Sequence, residues 1–114
     1  MTWGEVELEP EVDVWFDTLD QGDKETAAFY VDLLAERGVL LDDPCTRQLR
    51  GKLRELRFHL GRHAVRISCW IAPDRRIILL TVFRKQRMGE EAEVQRAWRA
   101  MQRCISEKHT ADEE

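Results

Sequence analysis

The stretch LRGKLRELRFHLGRHAVR, residues 49–66, carries six Arg or Lys side chains and one acid, in a chain of 114 residues whose formal net charge is −4. Guanidinium groups fork onto phosphate oxygens in pairs of hydrogen bonds, so a cluster of them is chemistry for a polyanion. Strand alternation sets Arg57 and His59 on one side, opposite to Leu56, Phe58 and Leu60. In the next run, HAVRISCWI, Arg66, Ser68 and Trp70 oppose Val65 and Ile67. The two polar sets can share a face. Arg47, Arg50, Lys52 and Arg54 lie upstream, and FRKQR adds Arg84, Lys85 and Arg87 downstream. With Trp70 to stack an unpaired base, this groove has the parts of a single-stranded RNA site.

The competing account is a strand face that is merely solvated, and the charge distribution argues against it. Residues 1–44 hold 2 basic and 13 acidic side chains, residues 45–88 hold 12 and 2, and residues 89–114 hold 4 and 7. A surface serving only solubility tends to mix the signs. An approaching polyanion responds to the local field, so a sequence pI of 5.4 conceals a basic middle. The thirteen acids of the first third read as ordinary helix surface, and they would also repel RNA from that side.

The elements that must position these groups follow from periodicity. TWGEVELEP suits a short strand ended by Pro10. Val12, Trp15, Phe16 and Leu19 then fall at helical spacing. A second helix, with Asp23 as a candidate cap, runs through KETAAFYVDLLAER to a stop at Gly38. Gly51 interrupts the helical pattern of Leu49, Leu53, Leu56 and Leu60, which favours a strand over residues 53–60. Gly61 supplies a turn into an antiparallel partner, APDRR supplies another, and IILLTVF, apolar on both faces, reads as a buried central strand. Val94, Ala97, Trp98, Met101, Cys104 and Ile105 line one side of a last helix over about residues 90–107. The expected fold is α+β, in the order β-α-α-β-β-β-α: a small, mostly antiparallel sheet with the helices packed on one face. Residues 1–108 form a single domain, and residues 109–114 are a mobile tail.

Composition closes off other classes. Hydrophobic residues make up 43% of the chain and charged residues 35%, which together with four Trp and four Phe indicates a folded protein. No apolar run is long enough to cross a bilayer, and the start lacks a signal-peptide pattern, so the expectation is cytoplasmic with no membrane contact. Cys45, Cys69 and Cys104 are an odd number without a C-x-x-C pair, which suits reduced thiols. The four-residue spacing of His59 and His63 would serve a metal on a helix, not across a strand and turn, so neither metal nor cofactor is expected.

LRGKLRELRF, a hairpin bearing Arg66, the strand ILLTVFRK and the amphipathic helix after it resemble the RelE/HigB-like toxins of type II toxin–antitoxin systems. The likeness is to the phage-derived branch, with its L-x-G-x-L-x-E-L-R and F-x-K signatures, and it spans about Val6 to Met101. The resemblance implies a small toxin that enters the ribosomal A site and cuts mRNA as a metal-independent endoribonuclease. It also implies a cognate antitoxin, a HigA-like helix-turn-helix protein. Carried onto this chain, Arg57 and Arg66 would clamp the phosphate, with Arg84 and Lys85 next. Lys52 would bind backbone phosphate or act as base. His59 is a further acid–base candidate, with a surface role as its alternative. Arg47, Arg50, Arg54, Trp70 and Arg87 would hold RNA.

The chain departs from the pattern in one respect. Many relatives carry a tyrosine near the groove, whereas Tyr30 falls in an expected helix and the second strand has Cys69 beside Trp70. Two functions therefore stand side by side: an active mRNA interferase, or a catalytically weak RNA-binding or interaction module on the same face.

Overall fold

The computed structural model describes residues 2–41, 45–84 and 90–113. Strand β1 (Glu5–Leu8) leads into helix α1 (Pro10–Asp17), with Pro10 at its first turn, where a missing N–H costs nothing. Helix α2 (Gln21–Arg37) follows. Its cap is Asp20, whose Oδ1 accepts the Asp23 N–H at 2.8 Å; Asp23 is the recipient of the cap, not the cap itself. Four strands come next: β2 (Thr46–Arg50), β3 (Leu53–Leu60), β4 (His63–Ala72) and β5 (Arg76–Arg84). Helix α3 (Glu90–Glu113) closes the chain.

The strand order in the sheet is β1-β5-β4-β3-β2, with β1 parallel to β5 and every other pair antiparallel. Strand β2 is absent from the sequence-based order. Thr46–Arg50 is short and mostly polar, and Gly51 is the first residue of a two-residue turn, not a break in a helix. Gly51 (φ 53°) and Gly61 (φ 59°) each open a two-residue hairpin loop, a position where a side chain is strained. The expected central strand, β5, is interior between β1 and β4, and the middle of the sheet is β4, because β2 extends the sheet beyond β3.

The helices do not share one face, as the sequence pattern led us to expect. Val12 of α1 and Ala27 and Leu34 of α2 pack with Leu56, Phe58, Val65, Ile67, Ile77 and Leu79. Ala97, Met101 and Cys104 of α3 pack on the other side, with Leu53, Trp70, Ile78 and Leu80. Strand β5 feeds both cores because it is apolar at successive positions. A register shift between Ser68 and Cys69 marks a bulge against β5. Among the described residues no helix is long and apolar enough to cross a membrane.

Candidate functional site

The sheet face on which α3 packs carries, toward the N-terminal end of that helix, the polar positions of β3 and β4. Arg57 and Arg66 are direct partners across the two strands, Glu55 faces Ser68, and Arg47 of β2 faces Glu55. Like charges directly opposite one another on a sheet repel. Glu55 resolves the conflict: its Oε1 lies 3.0 Å from Arg66 Nη1 and 3.7 Å from Arg57 Nε. One carboxylate oxygen therefore serves as counter-ion to both guanidiniums and fixes their orientation.

Glu55 is fully buried, and its Oε2 has no hydrogen-bond partner among the described residues. Burial pushes its carboxyl above the ordinary glutamate value of 4.5, against the opposing pull of Arg66, Arg57 and Arg47. Beneath it, the Ser68 and Thr81 hydroxyls are 2.5 Å apart and Ser68 Oγ accepts the Thr81 N–H at 3.0 Å, so the floor of the site is hydrogen-bonded to itself.

The two arginines differ in access. The Arg57 side chain is 31% exposed and that of Arg66 only 6%. The first residue of α3 accounts for part of the cover: Glu90 Oε1 lies 3.6 Å from Arg66 Nη1. A phosphate approaching Arg66 meets a carboxylate already there.

The other residues singled out from the sequence are dispersed. Arg47 is exposed beside the Glu55 position. His59 is exposed on β3, one alternation beyond Arg57. Lys52 sits in the β2–β3 turn, five residues along from Arg57, which on an extended strand is about 16 Å. Arg50 stacks over the Trp98 ring of α3 at 4.3 Å, at that same far end. Arg54 alternates to the α1–α2 side of the sheet, where its guanidinium donates to Thr46 Oγ1 at 3.1 Å. It does not join the arginine pair. Trp70 is 5% exposed and lies under α3, so it is core and has no face to offer a base. The backbone of Arg84 pairs with Val65, next to Arg66, while Lys85 and Arg87 lie outside the described residues.

Cys69 points into the α1–α2 core, where burial pushes its thiol up to about 12. Among the described residues no group of His, Cys, Asp and Glu has the arrangement of a metal site. Glu55 and Glu90 were not among the residues assigned a role from sequence. Glu55 had a signal: it is the only acid of the basic run, two residues before Arg57 and so on the same strand face. The contact of Glu90 with the site joins distant parts of the chain and has no local signature.

Tyr30, set aside in sequence terms as a helix residue, proves to lie close by. It lines a cavity of about 300 Å³ together with Arg57, His59 and Arg66.

Comparison with known proteins bears on both fold and family. By structure, the chain is similar to one in the crystal structure of the archaeal RelE-RelB complex from Pyrococcus horikoshii OT3. The TM-score is 0.55 at 21% identity, covering 75% of this chain and 98% of that one. It is similar also to a mutant of E. coli toxin RelE in the free state, with a TM-score of 0.58 at 14% identity over 90% of this chain and 98% of the other. These likenesses establish the RelE fold. No curated protein matches by sequence. The model of the family described as Phage derived protein Gp49-like (DUF891) matches residues 14–104, an interval that contains β2 to β5, both arginines of the pair and Glu55. The chain thus belongs to the Gp49-like phage-derived family and carries the RelE toxin fold.

Proposed function

We propose that this protein is the toxin of a type II toxin–antitoxin pair and acts as a ribosome-dependent mRNA endoribonuclease. The observation that supports the reading is the arginine pair across β3 and β4, with Arg57 partly exposed and both guanidiniums held by a buried carboxylate. Preorganised cations that need not rearrange are what stabilises a phosphorus centre gaining negative charge. In the reaction the ribose 2′-oxygen forms a bond to the adjacent phosphorus as the bond from phosphorus to the 5′-oxygen breaks. The 2′-hydroxyl proton passes to a base, and the 5′-oxygen takes up a proton. The products are a 2′,3′-cyclic phosphate and a 5′-hydroxyl end, with no metal required.

Arg57 is placed to hold a non-bridging phosphate oxygen, and Arg66 supports it from beneath once Glu90 gives way. His59 is the exposed titratable group one alternation away on the same strand face, which suits proton transfer. Lys52, about 16 Å along the strand, is better placed for a flanking phosphate than for the reacting centre. The family and fold support the wider reading, in which mRNA in the ribosomal A site is the substrate, the cytoplasm the place of action, and a HigA-like helix-turn-helix antitoxin the partner.

The second reading is a catalytically weak RNA-binding module, favoured by the near-complete burial of Arg66. Purified protein mixed with programmed ribosomes separates the two. New 5′-hydroxyl RNA ends in the A-site codon are expected. Salt-sensitive RNA binding with no new ends would replace the nuclease with the module, and ends bearing 5′-phosphate would rule out 2′-hydroxyl attack.

A further inference from the structure

Strand β2 lies at the edge of the sheet and its ladder to β3 is irregular. Gln48 pairs with Arg54 and Arg50 with Leu53, so Leu49 is an extra residue in the strand. Strict alternation would set Arg47 and Arg50 on opposite faces. The bulge brings them to one. Arg47 stands opposite Glu55, the carboxylate that holds the arginine pair, while Arg50 stands opposite Leu53 and lays its guanidinium over the Trp98 ring of α3 at 4.3 Å. Lys52 follows in the turn, which is braced by the Gln48 side-chain amide donating to the Gly51 carbonyl at 2.8 Å.

On the α3 side of the sheet, cations therefore stand at the levels of Arg57, Glu55 and Leu53, each level two residues from the next along β3. Two residues of an extended strand cover about 6.8 Å, close to the separation of successive phosphates in an extended RNA chain. Arg47, Arg50 and Lys52 are exposed, and no acid among the described residues forms an ion pair with them. Edge strands also carry charges and bulges merely to prevent sheet extension. Such protection asks for neither a common face nor a regular spacing.

We propose that Arg47, Arg50 and Lys52 form a track for the phosphates of single-stranded RNA, one link per step, leading away from the phosphate held by Arg57. The proposal rests on the RNA reading given above and adds the path of the strand: along the β2 edge toward the Trp98 side of α3. A guanidinium laid over an indole keeps its N–H edge for a phosphate while losing its freedom to swing, so the Arg50 contact is preorganised. An acidic peptide would answer the same charges, but a bulged edge gives its backbone no regular ladder to join. Arg50, drawn away from the arginine pair, is thereby placed two links along the same strand of RNA.

Binding of non-cleavable 2′-O-methyl oligoribonucleotides to the full chain, measured against length and salt, tests the track. Affinity is expected to rise with each link up to about four and to level beyond, with a salt slope of about 2.8 at that length. Arg47→Gln and Arg50→Gln should each lower the slope by about 0.7, one phosphate apiece. A methylphosphonate neutralises one link at a time and gives the register, in an oligomer just long enough to offer one link per cation. Each such link should weaken binding to the parent by up to about fivefold, the scale of an exposed ion pair, and by less than about twofold in the variant that lacks its cation. The link that ceases to matter in Arg50→Gln should lie two links from the one that ceases to matter in Arg57→Gln, with the Arg47→Gln link between them. Variants that weaken all links alike, or that self-associate while binding RNA like the parent, overturn the track; the second result would leave the charges as edge protection. Polyglutamate of matching length binding as tightly as RNA would overturn it in favour of a protein partner. Ordered binding in a protein that cuts no RNA would sustain the track and remove the nuclease. Cutting by a protein whose Arg47→Gln and Arg50→Gln variants bind RNA like the parent would do the reverse.

Discussion

At the residue scale, the site turns on one carboxylate beneath two arginines. Without Glu55, Arg57 and Arg66 would be like charges in direct opposition; with it, they share an oxygen at 3.7 and 3.0 Å. The two arginines should therefore respond differently to truncation. Arg57→Ala removes a partly exposed group and is expected to leave the thermal midpoint nearly unchanged while lowering cleavage. Arg66→Ala leaves Glu55 buried beside an empty space, which for a broken buried ion pair costs about 3–5 kcal/mol, measurable by urea unfolding. The raised pKa of Glu55 gives a second expectation. The folded state holds the proton to a higher pH than the unfolded chain does, so this group's contribution to stability falls as pH rises above 4.5. Glu55→Gln cannot ionise. Its stability relative to the parent should rise with pH across that window, and a difference that stays flat would mean that the arginines fully compensate burial. Glu90→Gln, at the mouth of the site, should bind inorganic phosphate more tightly than the parent, because the carboxylate at 3.6 Å from Arg66 is neutralised.

At the element scale, hairpins and helices follow rules that sequence carries openly. Gly61 needs a positive φ, and a β-carbon added there would meet nothing within 4 Å, so Gly61→Ala should cost about 1–2 kcal/mol through backbone strain alone. Gly61→Asn should cost less, and unfolding curves of the two variants check the order. Helix α3 is tied down differently. Arg96 Nη2 donates to the Val82 carbonyl at 3.1 Å, while Glu11 Oε2 accepts the Val82 N–H at 2.9 Å and its other oxygen pairs with Arg96. Two side chains thus close the edge of β5 where β1 has ended. Arg96→Ala is expected to speed hydrogen exchange at Val82 and along α3, at a cost to global stability of no more than about 1 kcal/mol because the group is partly exposed. Most elements were legible because their apolar periodicity is strong: α1, α2, β3, β4 and β5 appear where the pattern placed them, and α3 starts where expected but runs on to Glu113. Strand β2 was not, since five residues with Thr46 buried and Arg47 and Gln48 exposed carry too little hydrophobic alternation to separate a strand from the helical leucine spacing that surrounds it. Trp70 was misjudged for a related reason. Alternation put it on the correct face, but nothing local says that α3 lies across that face from Leu53 to Ala72.

At the scale of the whole molecule, the segregation of charge along the chain becomes only in part a segregation of surfaces, because α3, on the arginine side, opens with Glu90, Glu91 and Glu93. The acid-rich first third forms α1 and α2 on one side of the sheet, while the arginine pair opens on the other. If the protein binds RNA as proposed, its affinity should fall with salt at a slope of about 0.7 per phosphate neutralised. The site legible from composition was broader than the one the fold assembles: Arg54 turns to the opposite face, Arg50 is drawn to Trp98, and only Arg47, Arg57 and Arg66 converge around Glu55. That count is of the described residues, which leave out Lys85 and Arg87; convergence in space depends on strand register, which charge counting along a chain does not contain. The central claim is that this small cluster breaks RNA by holding a phosphate. Single-turnover cutting of mRNA on programmed ribosomes, parent against Arg57→Ala with ribosome binding measured in parallel, tests it most directly. A fall in cutting rate of about 10²–10³-fold, with binding changed much less, is the expected result. Equal rates for the two proteins, or no cutting by the parent, would contradict it.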